Sequence, residues 1–201
     1  MKFRNEKDFE DALVAMLATV GWGDSVLENY DETKLLQNWA NILFENNRGI
    51  DRLNDFPLTK GEMQQVLEQV KELKTPLRLN GFINGGSVQI TRDNPEDTLH
   101  FGKEISLKIY NRKEIAAGQS RYQIARQPRF SVKSKLLNDR RGDMLLLING
   151  MPVIHIELKR SGVPVSQACN QIQKYAAEGC FTGLFSLVQV FVAMNPEEAL
   201  Y

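Results

Sequence analysis

The sequence contains little cysteine and no long apolar run. Its 201 residues include two cysteines, Cys169 and Cys180, which are too few for a disulfide framework. The longest apolar stretch, residues 185–194, is interrupted by Ser186 and Gln189 and is much shorter than a membrane span. The first residues of the chain are too charged for a signal peptide. We therefore expect a soluble, cytoplasmic protein of a reducing compartment, with no membrane partner.

The sequence also lacks net charge, but its charges are unevenly distributed. Residues 1–70 hold 13 acids and 7 bases, whereas residues 71–201 hold 12 acids and 18 bases. A basic cluster with a single acid lies between residues 121 and 141 and comprises Arg121, Arg126, Arg129, Lys133, Lys135, Arg140 and Arg141. Such a cluster suits phosphate binding, and a solvated basic loop is the alternative.

The first part of the chain shows helical periodicity. Apolar residues (42%) and charged residues (25%) occur in ordinary proportions, which argues against disorder and predicts a sizeable core. We expect one helix capped by Asn5, one over residues 32–48, and one opened by a capping box of Thr59 and Glu62. Pro76 is expected to end this helical part.

After the proline the apolar period changes from helical to alternating. We expect strands at 86–91, 99–110 and 122–124, a hairpin over 144–159, a helix at 165–178 and a doubly buried strand at 185–193. This order predicts a single domain of the α/β class, with a helical part over about 1–75 and a mixed central sheet flanked by helices over about 85–195.

Three residues carry the functional hypothesis: Asp143, Glu157 and Lys159. Glu157 and Lys159 are two apart on the second strand of the hairpin, so they project from one face of the sheet together with His155. A solvent-facing ion pair is the plain alternative, but the apolar runs on either side favour a central hairpin. If Asp143 joins them, the two carboxylates form an oxygen-rich site for Mg²⁺, and Lys159 stabilises charge that develops on a phosphodiester.

The length of the hairpin loop decides whether Asp143 joins the pair. A two-residue Asn149-Gly150 turn pairs Asp143 with Ile156, which places Asp143 and Glu157 on opposite faces of the sheet. A three-residue loop or a β-bulge sets Asp143 directly across from Glu157. Two carboxylates so placed repel unless a cation lies between them. We therefore predict an odd-length loop or a bulge, despite the Asn-Gly signal for the shorter turn.

The residues of this hairpin resemble a known nuclease signature. Asp143, followed by Glu157-Leu158-Lys159, is similar to the PD-(D/E)xK motif. The longer sequence from Arg141 to Lys159 contains an arginine and an acid, an apolar strand, Asn-Gly-x-Pro, a second apolar strand and Glu-Leu-Lys. This order of features resembles the signature of the R (restriction) subunit of type I restriction-modification enzymes. Gly142 stands where that family usually has proline, a departure that we expect to touch no proposed ligand.

The resemblance implies a fold, an activity and partners. The fold is a restriction-endonuclease-like PD-(D/E)xK core behind an N-terminal helical segment. The activity is Mg²⁺-dependent cleavage of double-stranded DNA without sequence recognition of its own, with Mn²⁺ as a substitute. In the family, ATPase motor domains follow the nuclease domain. This sequence contains no G-x-x-x-x-G-K-[ST] motif, so ATP would serve only those absent motor domains. The methyltransferase and specificity subunits would be partners of the full-length chain.

The resemblance also implies roles for further residues. The metal ligands would be Asp143, Glu157 and the backbone carbonyl of Leu158, with Glu6 or Glu10 of the opening helix as a further ligand. Interaction with the helix dipole is the alternative for both glutamates. Supporting or DNA-contacting positions are expected at Gln171, Tyr175, Gln127, Arg126 and Arg141. For the glutamine and tyrosine one helical turn apart, a core tyrosine beside a neighbouring amide is the alternative.

Two other functions stay open on the sequence alone. A repair or junction-resolving nuclease would use the same core, and the sequence downstream would distinguish it. A non-catalytic docking module would keep the scaffold and bind DNA or a partner subunit. The presence of Asp143, Glu157 and Lys159 argues against such a non-catalytic module.

Overall fold

The computed structural model describes residues 2–23, 25–49, 53–73, 75–83, 86–109, 120–132 and 137–201. Its helices are α1 Glu6–Thr19, α2 Glu32–Asn47, α3 Lys60–Lys71, α4 Pro76–Ile83 and α5 Ser166–Ala177. Its strands are β1 Ser25–Glu28, β2 Ser87–Thr91, β3 Glu104–Lys108, β4 Tyr122–Arg126, β5 Arg129–Phe130, β6 Arg140–Arg141, β7 Met144–Ile148, β8 Met151–Leu158, β9 Val190–Met194 and β10 Ala199–Leu200.

Contacts within the chain divide it into two compact units, residues 1–33 with 121–201 and residues 34–120. The boundary between these units differs from the expected division into a helical part and a sheet part. The expectation of a single domain stays a prediction. No helix of the described residues is long and apolar enough to cross a membrane. Lys133 and Lys135 of the predicted basic cluster lie outside the described residues.

The first unit is built on a six-stranded mixed sheet of order β1-β4-β7-β8-β9-β10. β1 runs parallel to β4 and β8 parallel to β9, whereas the pairs β4–β7, β7–β8 and β9–β10 are antiparallel. Helix α1 packs Phe9 and Leu13 on one face, against residues that include Ile156 and Leu158 of β8. Near the other end of the sheet, Ala168 of α5 packs against Ala193 of β9. This arrangement confirms the α/β class with a mixed central sheet flanked by helices.

The second unit combines helices α2 to α4 with the antiparallel hairpin β2–β3. Its core includes the fully buried residues Leu35, Trp39, Val66 and Leu107. A buried ion network also stabilises it. Arg92 donates from Nε to Asp97 at 2.9 Å and from Nη1 to Glu62 at 2.7 Å, and the paired side-chain groups have no exposure. The buried arginine is therefore paired on both sides, as burial of a charge requires.

Local signals predicted several element ends correctly. The Asn5 side chain accepts the Asp8 backbone N–H at 2.7 Å and caps α1. Thr59 and Glu62 form the predicted capping box of α3. A Gly residue in the left-handed region follows α5, with φ of 77° at Gly179. The predicted strands near 86–91 and 122–124 correspond to β2 and β4.

Other boundaries were wrong. Pro76 begins the short helix α4 instead of ending the helical part, because proline is favourable in the first turn and the Thr75 hydroxyl accepts the N–H of Arg78 at 3.3 Å. The strand expected over 99–110 is only β3, since 99–103 forms turns. The strand expected over 185–193 begins at Val190, after a 3-10 helix over Gly183–Leu187, and Val190 is 41% exposed. Short apolar runs do not distinguish helix from strand.

Candidate active site

A β-bulge in the β7–β8 hairpin brings Asp143 level with Glu157. The turn has two residues, Asn149 and Gly150, with φ of 50° and 84°, as a type I′ turn requires. Ile148 therefore pairs with Met151, but the register shifts between Leu146 and Leu147, and Met144 pairs with Ile156. One extra residue in β8 compensates for the short turn. The prediction of an odd-length loop or a bulge is confirmed in its second form.

Asp143 is anchored at the end of the β8 strand. Its Oδ2 accepts the backbone N–H of Leu158 at 2.7 Å, and it lies close enough to Glu157 for the two carboxyl groups to interact. Burial and, second to it, the neighbouring charge of Glu157 together raise the pKa of Asp143 to about 7, against the lowering effect of the Leu158 N–H. The main cause is therefore the loss of water around a carboxylate that already has a like-charged neighbour.

Glu157 is fully buried and poorly supplied with donors. Burial is the main reason that its pKa rises to about 7, against the lowering effect of the Asp143 side chain and backbone N–H. Neither carboxylate oxygen of Glu157 accepts a well-aligned hydrogen bond among the described residues. A hydrogen bond between Asp143 and Glu157 requires that one of them carry a proton, since two carboxylates only accept. With both groups ionised, the site holds two buried negative charges with unmet bonding capacity.

These features fit a divalent cation. Two buried carboxylates with raised pKa values are stabilised by a positive charge placed between them, and Mg²⁺ is held through one or two carboxylates while it keeps several waters. No group of three His, Cys, Asp or Glu side chains within the described ranges converges to hold a metal. Among the described residues, Asp143 and Glu157 therefore have no third acidic side chain beside them for a metal.

Lys159 lies beside this pair. Its Nζ donates to the backbone carbonyl of Leu158 at 2.9 Å and lies 3.4 Å from Oε1 of Glu6. The Glu6 side chain is 46% exposed, whereas that of Lys159 is 12% exposed. The charge of Lys159 opposes the rise in the pKa values of Asp143 and Glu157. Of the two helix glutamates, Glu6 thus lies beside the lysine of the motif.

Glu10 has a different environment. It is buried, and its Oε1 accepts from Nε of Arg126 at 2.6 Å. Arg126 also donates to Asp11 at 2.5 Å and lies 3.5 Å from Glu28. Desolvation lowers the pKa of Arg126, but its bonds to these carboxylates outweigh that effect and raise it. Arg126 therefore joins α1 to β4 through ion pairs, which is a supporting role; contact of Arg126 with DNA stays a prediction.

Gln171 and Tyr175, which are one helical turn apart on α5, form a hydrogen-bond chain. Gln171 donates through Nε2 to the Tyr175 hydroxyl at 2.7 Å, and that hydroxyl donates to the carbonyl of Arg141 at 2.9 Å. Tyr175 is buried, and the burial raises its pKa to about 12. Because Arg141 is two residues before Asp143, the chain holds the segment that leads into the acid. The alternative of a core tyrosine beside a neighbouring amide accounts for the burial of Tyr175. It does not account for the hydrogen bond from Tyr175 to the Arg141 carbonyl.

The other predicted positions surround the hairpin. Gln127 has a φ of 51° and donates its backbone N–H to the carbonyl of Asp143 at 2.8 Å. The side chain of Arg141 is exposed, and it pairs across β5–β6 with the exposed Arg129. Arg140 instead forms a bidentate pair with Glu178, at 2.6 and 2.8 Å. The predicted basic cluster is thus partly occupied by internal ion pairs.

Sequence analysis placed His155 on the face of Glu157, but it did not predict how closely other groups surround Glu157 there. His155 is fully buried, and its Nε2 lies 3.0 Å from Oε1 of Glu157. Burial lowers the pKa of His155 to about 4, so the ring is neutral at pH 7. A Cβ at Gly142 would lie 2.7 Å from the Phe130 ring and 3.1 Å from Glu157 Oε1. The expectation that Gly142 touches no proposed ligand was therefore wrong. The replacement of the family's proline by glycine was the available signal.

Comparison with known proteins agrees with this geometry. Residues 3–201 match the family described as "Type I restriction enzyme R protein N terminus". The chain is 30% identical over 201 residues to the type I restriction enzyme SsaAORF53P endonuclease subunit of Staphylococcus saprophyticus, and 29% identical to the SauCOLORF180P endonuclease subunit of Staphylococcus aureus. Both alignments cover 100% of this chain and 20% of the relative.

A more distant relative is the type I restriction enzyme EcoprrI endonuclease subunit of Escherichia coli. It is 25% identical over 206 residues, which cover 99% of this chain and 58% of the relative. The chain thus spans only part of the length of the relatives that it matches. By its match over nearly all residues, the chain belongs to the type I restriction enzyme R protein family and corresponds to the N-terminal region of that family.

Proposed function

We propose that this chain is the Mg²⁺-dependent endonuclease domain of a type I restriction enzyme R subunit and hydrolyses phosphodiester bonds of double-stranded DNA. One observation carries the proposal. Asp143 and Glu157 meet on one face of a buried hairpin, with pKa values raised to about 7 and no well-aligned hydrogen bond to the Glu157 oxygens among the described residues. A structural ion pair does not require two adjacent acids, and perturbed acids of this kind are typical of functional sites.

The residues of the hairpin would have two roles, which are metal binding and stabilisation of charge on the phosphate. Asp143, Glu157 and the Leu158 carbonyl would hold the ion, and the Leu158 N–H keeps one Asp143 oxygen in place at 2.7 Å. When bound, Mg²⁺ lowers the pKa of a water ligand and neutralises charge on the phosphate. Lys159 contributes positive charge next to the reacting phosphate. Its bond to the Leu158 carbonyl and its proximity to Glu6 hold it at the edge of the site.

The protein would contact the phosphates of the DNA backbone and not the bases. Arg129 and Arg141 are exposed and lie opposite each other on a short two-stranded ladder directly before Asp143. Like charges in directly opposed positions are unfavourable in the absence of an anion, and phosphate contacts give affinity without sequence preference. In the full-length subunit, we propose that ATP-driven translocation and the specificity and methyltransferase subunits deliver DNA to this site.

Plasmid nicking and metal binding test the proposal together. We expect the chain to relax supercoiled plasmid in Mg²⁺ or Mn²⁺, and Asp143→Asn, Glu157→Gln and Lys159→Met each to reduce the rate at least 100-fold. Asp139→Asn removes an exposed acid nearby and is the matched control. Cleavage that persists in all three variants would refute the assignment.

Calorimetric titration with Mn²⁺ covers the case in which cleavage needs the partner subunits. The wild-type chain is expected to bind Mn²⁺, and the Asp143→Asn variant to lose that binding while it retains DNA binding. Absence of Mn²⁺ binding by the wild type, together with intact DNA binding, would instead support a non-catalytic docking module.

A further inference from the structure

His155 lies in a closed aromatic environment on the face of β8 that carries Glu157. The ring has no exposure. Its centroid lies 5.5 Å from that of Phe130, 6.3 Å from Tyr175, 5.3 Å from Phe181 and 6.2 Å from Phe191. A neutral imidazole in such surroundings carries one N–H and one bare nitrogen. Aromatic packing alone would be served equally well by an apolar ring, so the nitrogen atoms call for an explanation.

One nitrogen atom of His155 lies close to a carboxylate. Nε2 lies 3.0 Å from Oε1 of Glu157, yet neither ring nitrogen makes a well-aligned hydrogen bond among the described residues. The two carboxylate oxygens of Glu157 accept no well-aligned hydrogen bond either. A potential donor and a poorly satisfied acceptor therefore lie at hydrogen-bonding distance. The last torsions of histidine and glutamate side chains are soft, so rotation about them can align the two groups.

The backbone leaves room for this contact. A Cβ at position 142 would lie 2.8 Å from Cε1 of His155 and 3.1 Å from Oε1 of Glu157. Gly142 therefore permits the imidazole and the carboxylate to lie side by side. A residue with a side chain would push into both groups, so the glycine and the histidine form a matched pair in this chain.

We propose that His155 is a positioning residue for Glu157: its Nε2–H donates to Oε1 and holds the carboxylate so that the other oxygen faces Asp143. The proposal rests on the function proposed above, because it concerns the carboxylate that would bind the ion. Hydrogen bonds to ligating carboxylates orient them, and loss of such a bond typically weakens metal affinity 10- to 100-fold. His155 itself does not contact the ion or the substrate.

The test compares two replacements of His155 in Mn²⁺ calorimetry. His155→Gln keeps an amide N–H at the position of Nε2, whereas His155→Leu keeps bulk and removes the donor. We expect a 10- to 100-fold weaker Kd for His155→Leu and a Kd within about threefold of wild type for His155→Gln. Phe181→Leu, which reduces packing around the ring but keeps the donor, is the matched control. Circular dichroism of each variant checks that it is folded.

Failure of this inference is distinguishable from failure of the proposed function. A wild-type chain that binds no Mn²⁺ would overturn both. A wild-type chain that binds Mn²⁺, with unchanged affinity in folded His155→Leu, would overturn only the role of His155. A second readout needs no metal: ¹⁵N NMR of the imidazole is expected to show the proton on Nε2. A proton on Nδ1, with Nε2 bare, would also overturn the inference.

Discussion

The pair of buried acids should make the metal-free protein less stable than a variant that lacks one of them. Asp143→Asn keeps an oxygen that accepts the Leu158 N–H and adds an amide that donates to Glu157. The pKa of Asp143 rises from 3.8 to about 7 because of burial and the Glu157 charge. At about 1.4 kcal/mol per pH unit, ionisation of Asp143 in the folded state costs at most about 4 kcal/mol. We expect the variant to be more stable by about 2–4 kcal/mol at pH 8.

The sign of the pH dependence follows from proton binding. Between pH 4 and pH 7 the folded protein holds a proton on Asp143 that the unfolded chain has released, so the stability of the wild type falls as pH rises. The advantage of Asp143→Asn should therefore be near zero at pH 4, grow up to about pH 7 and then stay constant. His155, with its pKa lowered to about 4, contributes a slope of opposite sign. Both proteins bury His155, which is the main cause of this shift, but only the wild type has the Asp143 charge that favours the protonated ring, so the contribution does not cancel completely in the difference.

Urea unfolding followed by circular dichroism, in EDTA at pH 4, 6 and 8, measures this difference. Asp139→Asn changes an exposed acid of the same type and should stay within about 0.5 kcal/mol of wild type. Added Mg²⁺ should reverse the order, because an ion that binds only the folded wild type stabilises it by mass action. A variant that is less stable than wild type at pH 8 in EDTA, or an advantage that does not change with pH, would refute the reasoning.

Three further predictions concern the supports of the site. Tyr175→Phe removes the bond to the Arg141 carbonyl and should lower the free energy of unfolding by about 1–2 kcal/mol; an unchanged urea midpoint would contradict it. Gly142→Ala forces a Cβ into occupied space and should destabilise by about 1–3 kcal/mol in thermal unfolding, and a wild-type melting temperature would show that the neighbours yield freely. Arg126→Met leaves Glu10 buried without its partner and should cost about 3 kcal/mol. A second change, Glu10→Gln, should recover part of this loss in a double-mutant cycle, and strictly additive effects would disprove the coupling.

The features that could be predicted from sequence are those with local signals. Asn5 and the Thr59 capping box identify helix starts because a cap acts within three residues. The Asn-Gly pair identifies the turn because both residues tolerate positive φ. The convergence of Asp143 and Glu157 has no local signal. It was predicted by counting the residues between the two acids and asking which loop length places both side chains on one face of the sheet.

The features that escaped prediction depend on partners distant in sequence. Arg126 meets Glu10 across 116 positions, and Tyr175 meets the Arg141 carbonyl across 34. A glutamate on an apolar helix face signals that a partner is needed, but it does not identify which base supplies it. The aromatic surroundings of His155 are similarly assembled from several separate elements. These contacts form only when the elements pack together in the folded chain, and the local sequence pattern does not encode that packing.

The extra residue in β8 lets the hairpin combine a tight turn with two acids on one face of the sheet. The Asn-Gly sequence favours a two-residue turn, but in a regular hairpin with that turn Asp143 and Glu157 would lie on opposite faces. Because the irregularity lies between the tip and the site, an insertion or deletion of one residue near the tip has a place to be absorbed. Homologous chains can therefore differ in hairpin length there and still keep both acids on one face of the sheet.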